Sequence, residues 1–442
     1  MIGAVAGEAL DPLTCDSLLQ RFPHLTSAMD PDGMAAALQE TLFAESGARV
    51  VACGRPRAEV GEDNCWLQYP LRLGAPAGAE REILALGVML SSAADAEAYE
   101  RRVLAPQADP RAPRSTGVLP ELTMAVSVFP VNGALPTLAR AADPAHASDA
   151  LTGILGERVT VRDVALIELR RTRGCVLRYR LDSAQHPVVY GKVGRTAVGA
   201  AVEQALRALT ARMSGDEIYF PLALGYSDDL MLYAVSAVPG NPPDLSAPSG
   251  RERAVDGAAR VAVALHGSGV RAGPFRFLHD ELSRAADATR LVARDDAHLA
   301  ARLTGILERI AMTESRVPAG EPGLAHGSLA PSQLMLDGSR VGVLDFDRVC
   351  QAEPSLDLGR FVAPLRVKLA KLDAVAVDEL AQSLLLRYRD GRGRVDEARP
   401  LLYECAALVR MAARSWLQLK PSRLRTVLTI LEERSRALGV MA

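Results

Sequence analysis

Two stretches of the chain carry residue types that could do chemistry together. One is His326-Gly327-Ser328-Leu329-Ala330-Pro331-Ser332-Gln333, and the other is Leu344-Asp345-Phe346-Asp347. Phosphoryl transfer to a hydroxyl needs few parts: a cation on the nucleotide phosphates, metal ligands, and a base that orients the acceptor. A loop of the form His-Gly-Asp-x-x-x-x-Asn supplies base and metal ligand from one turn, and a following strand presents an Asp to the metal. Here His326 and Gly327 open the loop, Gln333 takes the Asn place five residues after Ser328, and Asp345 ends the second strand. Residues 334–336 and 341–344 form a hairpin about Asp337-Gly338-Ser339, a good turn sequence. One position breaks the layout: Ser328 stands where an acid is required.

These residues, in this order, resemble the aminoglycoside phosphotransferase and choline kinase family, distant relatives of the protein kinases. The matching positions are His326-Gly327, Pro331, Gln333, Leu344-Asp345-Phe346-Asp347 and Pro354-Ser355-Leu356-Asp357-Leu358. Upstream, Tyr190-Gly191-Lys192-Val193 looks like the phosphate-binding lysine strand, and residues 233–240 look like the hinge where adenine docks. The resemblance covers roughly the last two-thirds of the chain. It implies ATP or GTP as donor, Mg²⁺, and a hydroxyl acceptor on a small molecule or peptide. Lys192 would hold the phosphates and Glu203 would pair with that lysine. Val235 and Ala237 would meet adenine, and Gln333 and Asp345 would bind the metal. His326 would hold the loop, Ser328 would orient the acceptor, and Asp357 would bond the loop backbone.

The departures matter. Serine cannot take the acceptor proton as a carboxylate does, and a general base contributes about 10²–10⁴-fold. Asp347 is a substitute base if the strand runs on regularly past Asp345, so that both point the same way. Residues 170–174 offer one glycine instead of a Gly-rich loop, with Arg171 and Arg173 as compensating cations. An active chain would be an ATP-dependent phosphotransferase with an atypical base. The alternatives are a pseudokinase that regulates or scaffolds a partner, and a repurposed component of a bacterial peptide-modifying pathway. Blander readings stand beside these. Lys192 could be a surface lysine, Asp345 a turn residue, and His266-Gly267-Ser268 a helix cap.

The elements that must position these residues suggest an α+β, two-lobed, protein-kinase-like plan with a β-rich N-lobe and an α-rich C-lobe. Residues 1–120 read as an accessory module and a candidate surface for a protein partner. Residues 121–240 read as the N-lobe, and 241–442 as the helical C-lobe, with the hairpin stretch 323–349 inside it. Cys65-Trp66-Leu67-Gln68-Tyr69 echoes Cys175-Val176-Leu177-Arg178-Tyr179, with Gly87 at the place of Gly191. That suggests a degenerate N-lobe repeat in which Val88 replaces Lys192. Helices are expected over 251–266, 284–310, 369–388, 397–417 and 421–438, and an acidic acceptor pocket could draw on Asp280, Glu281, Asp295 and Asp296. A net charge of -2 gives no basic excess for nucleic acid. The six cysteines lack metal-clip spacing and suit a reducing cytoplasm. No apolar run is long enough for a bilayer.

Overall fold

The computed structural model describes residues 11–74, 80–108, 114–170, 174–194, 200–213, 217–372, 374–392, 395–396 and 398–441. Three short helices, α1 (Asp16–Arg21), α2 (Leu25–Ala28) and α3 (Pro31–Leu38), open it. Next come β1 (Arg49–Cys53), β2 (Arg57–Val60), β3 (Cys65–Gly74), β4 (Glu80–Met89), α4 (Ala93–Tyr99), β5 (Thr116–Leu119) and β6 (Met124–Val128). They form one antiparallel sheet in the order β1-β3-β4-β6-β5, with β2 on β3. Cys65, Leu67, Tyr69, Leu71 and Leu73 point inward along β3 at the period-two spacing of a strand.

The expected boundary at residue 120 falls inside this sheet. Residues 124–128, assigned from sequence to the N-lobe, pair with β4 from Ala85↔Val128 to Met89↔Met124. Part of the proline-rich stretch before them is itself the strand β5. Ladder hydrogen bonds outweigh the linker composition, and the unit boundary lies beyond β6.

The second sheet is built on α5 (Leu138–Ala142), α6 (Pro144–Leu155), β7 (Val161–Leu169), β8 (Gly174–Leu181), β9 (Val188–Gly194), α7 (Ala200–Arg212), β11 (Ala223–Ser227) and β12 (Leu232–Ser236), while β10 (Ile218–Tyr219) pairs in parallel with residues 341–342 of the C-lobe hairpin. Its order is β7-β8-β9-β12-β11, the same plan as the first sheet. Details coincide as well. Leu67 faces Gly87 across β3 and β4, and Leu177 faces Gly191 across β8 and β9. A Cβ on Gly87 would meet the Tyr69 ring at 3.2 Å, and one on Gly191 the Tyr179 ring at 2.6 Å. Tyr69 donates to the Ala28 carbonyl at 3.0 Å and Tyr179 to the Ala141 carbonyl at 2.8 Å. Each carbonyl lies two residues before an Asp-Pro helix start, where Asp30 and Asp143 cap α3 and α6.

The C-lobe contains α8 (Pro248–Gly267), α9 (Leu278–Ala293), α10 (Ala297–Glu314), β13 (Gly323–Ala325), β14 (Leu334–Asp337), β15 (Arg340–Val343), β16 (Cys350–Ala352), α11 (Ser355–Lys368), α12 (Ala374–Arg392), α13 (Ala398–Leu417) and α14 (Pro421–Met441). The helix expected over 284–310 is two helices. Asp296 caps α10 by accepting from the Leu299 N–H at 2.8 Å, and Asp295 turns inward to Arg21 at 2.8 Å. Sequence reasoning missed α11. It is buried nearly all round, so it lacks an amphipathic period, and it contains Pro364.

One continuous core joins the first sheet and its helices to α9, α10, α13 and α14. The accessory unit is therefore packed into the C-lobe and does not hang from it. The fold is two-lobed and protein-kinase-like, with the first sheet as an added wall.

Candidate active site

The loop between β13 and β14 is held from below by a buried carboxylate. Asp357, on the first turn of α11, accepts from the backbone N–H of His326 at 2.7 Å and of Gly327 at 2.8 Å. His266-Gly267-Ser268 does end α8 with Ser268 as its C-cap, as read from sequence, and the His266 ring also points inward. Its Nε2 lies 3.3 Å from Asp357 and its Nδ1 3.0 Å from the Tyr388 hydroxyl. Burial raises the Asp357 pKa, but the hydrogen bond and charge of His266 outweigh it and hold the group below the usual carboxylate range. Gly327 has φ 73°, and a Cβ there would run into the Arg348 carbonyl, so only glycine fits.

His326 is fully buried, with its ring tilted on Phe346 at 4.8 Å between centroids. Its Nε2 lies 2.7 Å from the Leu344 carbonyl, which can only accept, so this nitrogen carries the proton. In the neutral ring Nδ1 is then an acceptor, and the Ser328 hydroxyl lies 3.3 Å away. His326 thus braces the loop and gives Ser328 an orientation, with no carboxylate at that place.

Asp345 adopts φ 86° and ψ 64°, a left-handed conformation that costs a non-glycine residue about 1–3 kcal/mol and is typical of functional sites. The chain then enters a tight turn, Phe346–Arg348, so the regular strand expected past Asp345 does not exist. The turn nevertheless brings both carboxylates to one cation. Lys192 Nζ on β9 donates to Asp345 at 2.5 Å and to Asp347 at 2.6 Å. Arg170, at the end of β7, donates to the other Asp345 oxygen at 3.0 Å and to Glu168 at 2.9 Å.

The two acids are driven apart in pKa. Burial opposes ionisation of Asp345, but Lys192 and Arg170 hold it well below the usual range. Asp347 is pushed up by burial and by the neighbouring Asp345, against the pull of Lys192. The pair titrates as a unit, and Asp347 is the member that takes a proton first. Burial lowers Lys192, and the two carboxylates more than restore it.

Lys192, Ser328, Gln333, Asp345 and Asp347 all line one cleft of about 1560 Å³. Gln333 Oε1 is buried there without a hydrogen-bond partner. Together with Asp345 and Asp347 it forms a set of hard oxygen donors. That set fits a magnesium-type ion, which takes one or two protein carboxylates and completes its shell from water and phosphate. Among the described residues no group of three His, Cys, Asp or Glu gathers, so the protein makes no closed metal cage.

Besides His326, buried beneath the loop, three expected residues lie apart from the cleft lining. Glu203 pairs with Arg207, one helical turn along α7, at 2.7 Å, while the carboxylate partners of Lys192 among the described residues are the two aspartates. The expected Lys192–Glu203 pair is therefore not formed, because the lysine is already satisfied across the cleft. Tyr233 sits near Glu203 and Asp347 with its buried hydroxyl unpartnered. Val235 lies within the β12 ladder, and Ala237 is exposed one residue past its end. Arg173 and Arg171 lie outside the described residues. Sequence reasoning missed His266, Arg170's bond to Asp345, and a group of C-lobe arginines facing the cleft. None of these has a local signature.

Fold and site together define a kinase-like phosphotransferase scaffold. Residues 188–398 match the model of the phosphotransferase enzyme family. A comparison with curated proteins finds no match. Solved structures similar to the chain include the GDP complex of wild-type aminoglycoside 2'-phosphotransferase-IIIa, at 14% identity and TM-score 0.45 over 67% of this chain and 99% of that one. A macrolide 2'-phosphotransferase from Brachybacterium faecium is similar at 18% identity and TM-score 0.42, over 62% of this chain and 97% of that one. A choline/ethanolamine kinase family protein from Mesorhizobium loti is similar at 15% identity and TM-score 0.46, over 68% and 96%.

Proposed function

We propose that this cleft binds a nucleoside triphosphate, ATP or GTP, with a divalent metal, and that the chain passes the terminal phosphoryl group to a hydroxyl of an acceptor. The observation that carries the reading is Lys192 meeting Asp345 and Asp347 at 2.5 and 2.6 Å between the lobes. It brings a lysine suited to phosphate beside the two carboxylates proposed here for the metal and the base. Lys192 and Arg170 would exchange carboxylate for phosphate oxygens when nucleotide enters. Asp345, with the free amide oxygen of Gln333, would hold the metal, which supplies charge neutralisation on the phosphates. Ala237, just past β12, and Val235 within it are the expected adenine contacts, with Arg173 as a further phosphate cation.

The base is assigned to Asp347 and not to Ser328. The acceptor hydroxyl would give its proton to the Asp347 carboxylate as its oxygen bonds to phosphorus and the nucleoside diphosphate leaves. A raised pKa suits that work, because a base is most effective near the working pH. Ser328, fixed by His326, orients the acceptor. The first sheet is read as a degenerate copy of the N-lobe sheet, with Val88 where Lys192 would stand, serving as a wall of the cleft. The same machinery serves a small molecule or a serine or threonine of a peptide.

Binding without turnover is the second reading. It is favoured by the serine at position 328 and by Glu203 turning to Arg207. One titration tests the shared part. ATP with Mg²⁺ at 100 times its dissociation constant should stabilise the chain by about 2.7 kcal/mol in thermal melting, and Asp345→Ala should abolish this. An unshifted wild-type melt would refute nucleotide binding; a shift without phosphate transfer to any acceptor would leave the second reading.

A further inference from the structure

The C-lobe end of the same cleft is cationic. Arg276 in the turn before α9, Arg348 directly after Asp347, and Arg410 on α13 all line it. Among the described residues none of the three has an ion-pair partner. Two more arginines, Arg284 on α9 and Arg360 on α11, share one carboxylate: Glu281 lies 2.8 Å from Arg284 and in direct contact with Arg360. Arg414 and Lys420 add positive charge, and the facing sheet contributes Glu59 from β2. Asp287, on the rim, is paired with Arg290. Cations outnumber carboxylates here even with all three acids, Glu281, Glu59 and Asp287, counted.

Like charges held out of water disfavour one another. Burial and Arg360 push Arg410 well below its usual range, and burial and Arg284 lower Arg276. Arg276 Nη1 is buried with no hydrogen-bond partner. Buried charge is ordinarily paired, so this set is a cost to the folded chain. A ligand with opposite charge removes the cost, since guanidinium forks bind phosphate oxygens in pairs.

The acids that could receive a polycation are engaged elsewhere. Asp280 accepts from the Phe277 N–H at 2.8 Å and so caps α9. Asp295 takes Arg21 and Asp296 caps α10. Glu281 is held by two arginines. No acidic acceptor pocket forms from these four residues.

We propose that this end of the cleft is the acceptor subsite, and that the acceptor is a hydroxyl compound bearing a phosphate monoester, held by Arg276, Arg348 and Arg410. The assignment as an acceptor rests on the phosphotransfer reading above; the anion site itself does not. Arg348 and Asp347 both line this cleft, so an anion on the arginines shares its space with the assigned base.

Calorimetric titration of O-phosphoserine into the full chain, without nucleotide, tests this. The expected result is saturable binding that weakens with added salt. Binding should fall about tenfold or more in Arg276→Gln and in Arg348→Gln. The two variants sit on different segments, and circular dichroism of each guards against loss of fold. Binding should persist in Lys192→Ala. Loss of binding in Lys192→Ala would place the anion on the nucleotide side and overturn the proposal. So would no binding by the wild-type chain, unweakened binding in both arginine variants, or equal binding of spermine. Failure here with an intact ATP–Mg²⁺ melting shift would spare the nucleotide reading; the converse would spare the anion site.

Discussion

At the scale of single residues, two aspartates of like chemistry have been given different work by their neighbours. Asp345 is held ionised by Lys192 and Arg170, while Asp347 is left as the proton-accepting member of the pair. A base must be deprotonated, so transfer should fall as pH drops through the raised Asp347 pKa, above the usual carboxylate value of about 4. A pH profile of kcat/KM should show that acid limb, and Asp347→Asn should remove it along with most of the rate. Ser328→Asp restores a carboxylate beside His326; with Asp347 already serving as base, it should leave the transfer rate nearly unchanged. A rise of about 10²–10⁴-fold would show instead that the base was missing and that Asp347 does not fill the role. Asp357 makes a separate case. Its side chain is buried, bonded to two backbone N–H groups and to His266. Asp357→Ala should cost about 3–5 kcal/mol in urea unfolding, because it leaves buried donors without their acceptor. The depressed pKa makes this stabilisation complete above about pH 4, and it is lost as pH falls through the folded value.

At the scale of elements, the site depends on how closely α11 approaches α13. Gly359 sits where the two helices meet, and a Cβ there would lie 2.7 Å from Tyr403 Cβ and 2.8 Å from the Glu404 nitrogen. Backbone cannot rotate away as a flexible side chain can. Gly359→Ala should therefore destabilise by about 1–3 kcal/mol in urea titration. It should also weaken O-phosphoserine binding, since α11 carries Arg360 and α13 carries Arg410. Destabilisation without any change in binding would show that the two helices position the arginines independently. The element-scale surprise was α11 itself, an almost wholly buried helix with no polar face to reveal its period.

At the scale of the whole molecule, the first sheet is part of the C-lobe's core. Leu18, Phe22, Leu25 and Tyr69 share one apolar cluster with Leu299, Leu303, Leu408 and Trp416. Arg21 reaches Asp295, whose side chain is fully buried, at 2.8 Å. Removing residues 1–130 should therefore give an aggregating, poorly folded remainder in size-exclusion chromatography, despite leaving the phosphotransferase segment whole. A soluble, cooperatively melting product would show instead that the unit is detachable. The sheet also walls the cleft that holds Lys192 and Asp345, which gives it a place beside the proposed acceptor subsite.

Local chemistry was legible in the chain because it is carried by short, ordered motifs. His326-Gly327 and Asp345-Phe346-Asp347 could be read from order and spacing, and Lys192 and the backbone-bonding Asp357 from the family resemblance those motifs carry. So could the likeness of β3–β4 to β8–β9, since strand period and residue order are sequence-local features. Long-range geometry was not legible. That Lys192 chooses two aspartates over Glu203, that His266 turns inward, that β5 and β6 join the first sheet, and that arginines from four separate segments converge on one cleft are outcomes of packing. Each depends on which charges the fold leaves closest together. Residue order states the inventory of charges, and the tertiary structure decides which of them remain unpaired and so which ligand the cleft can take.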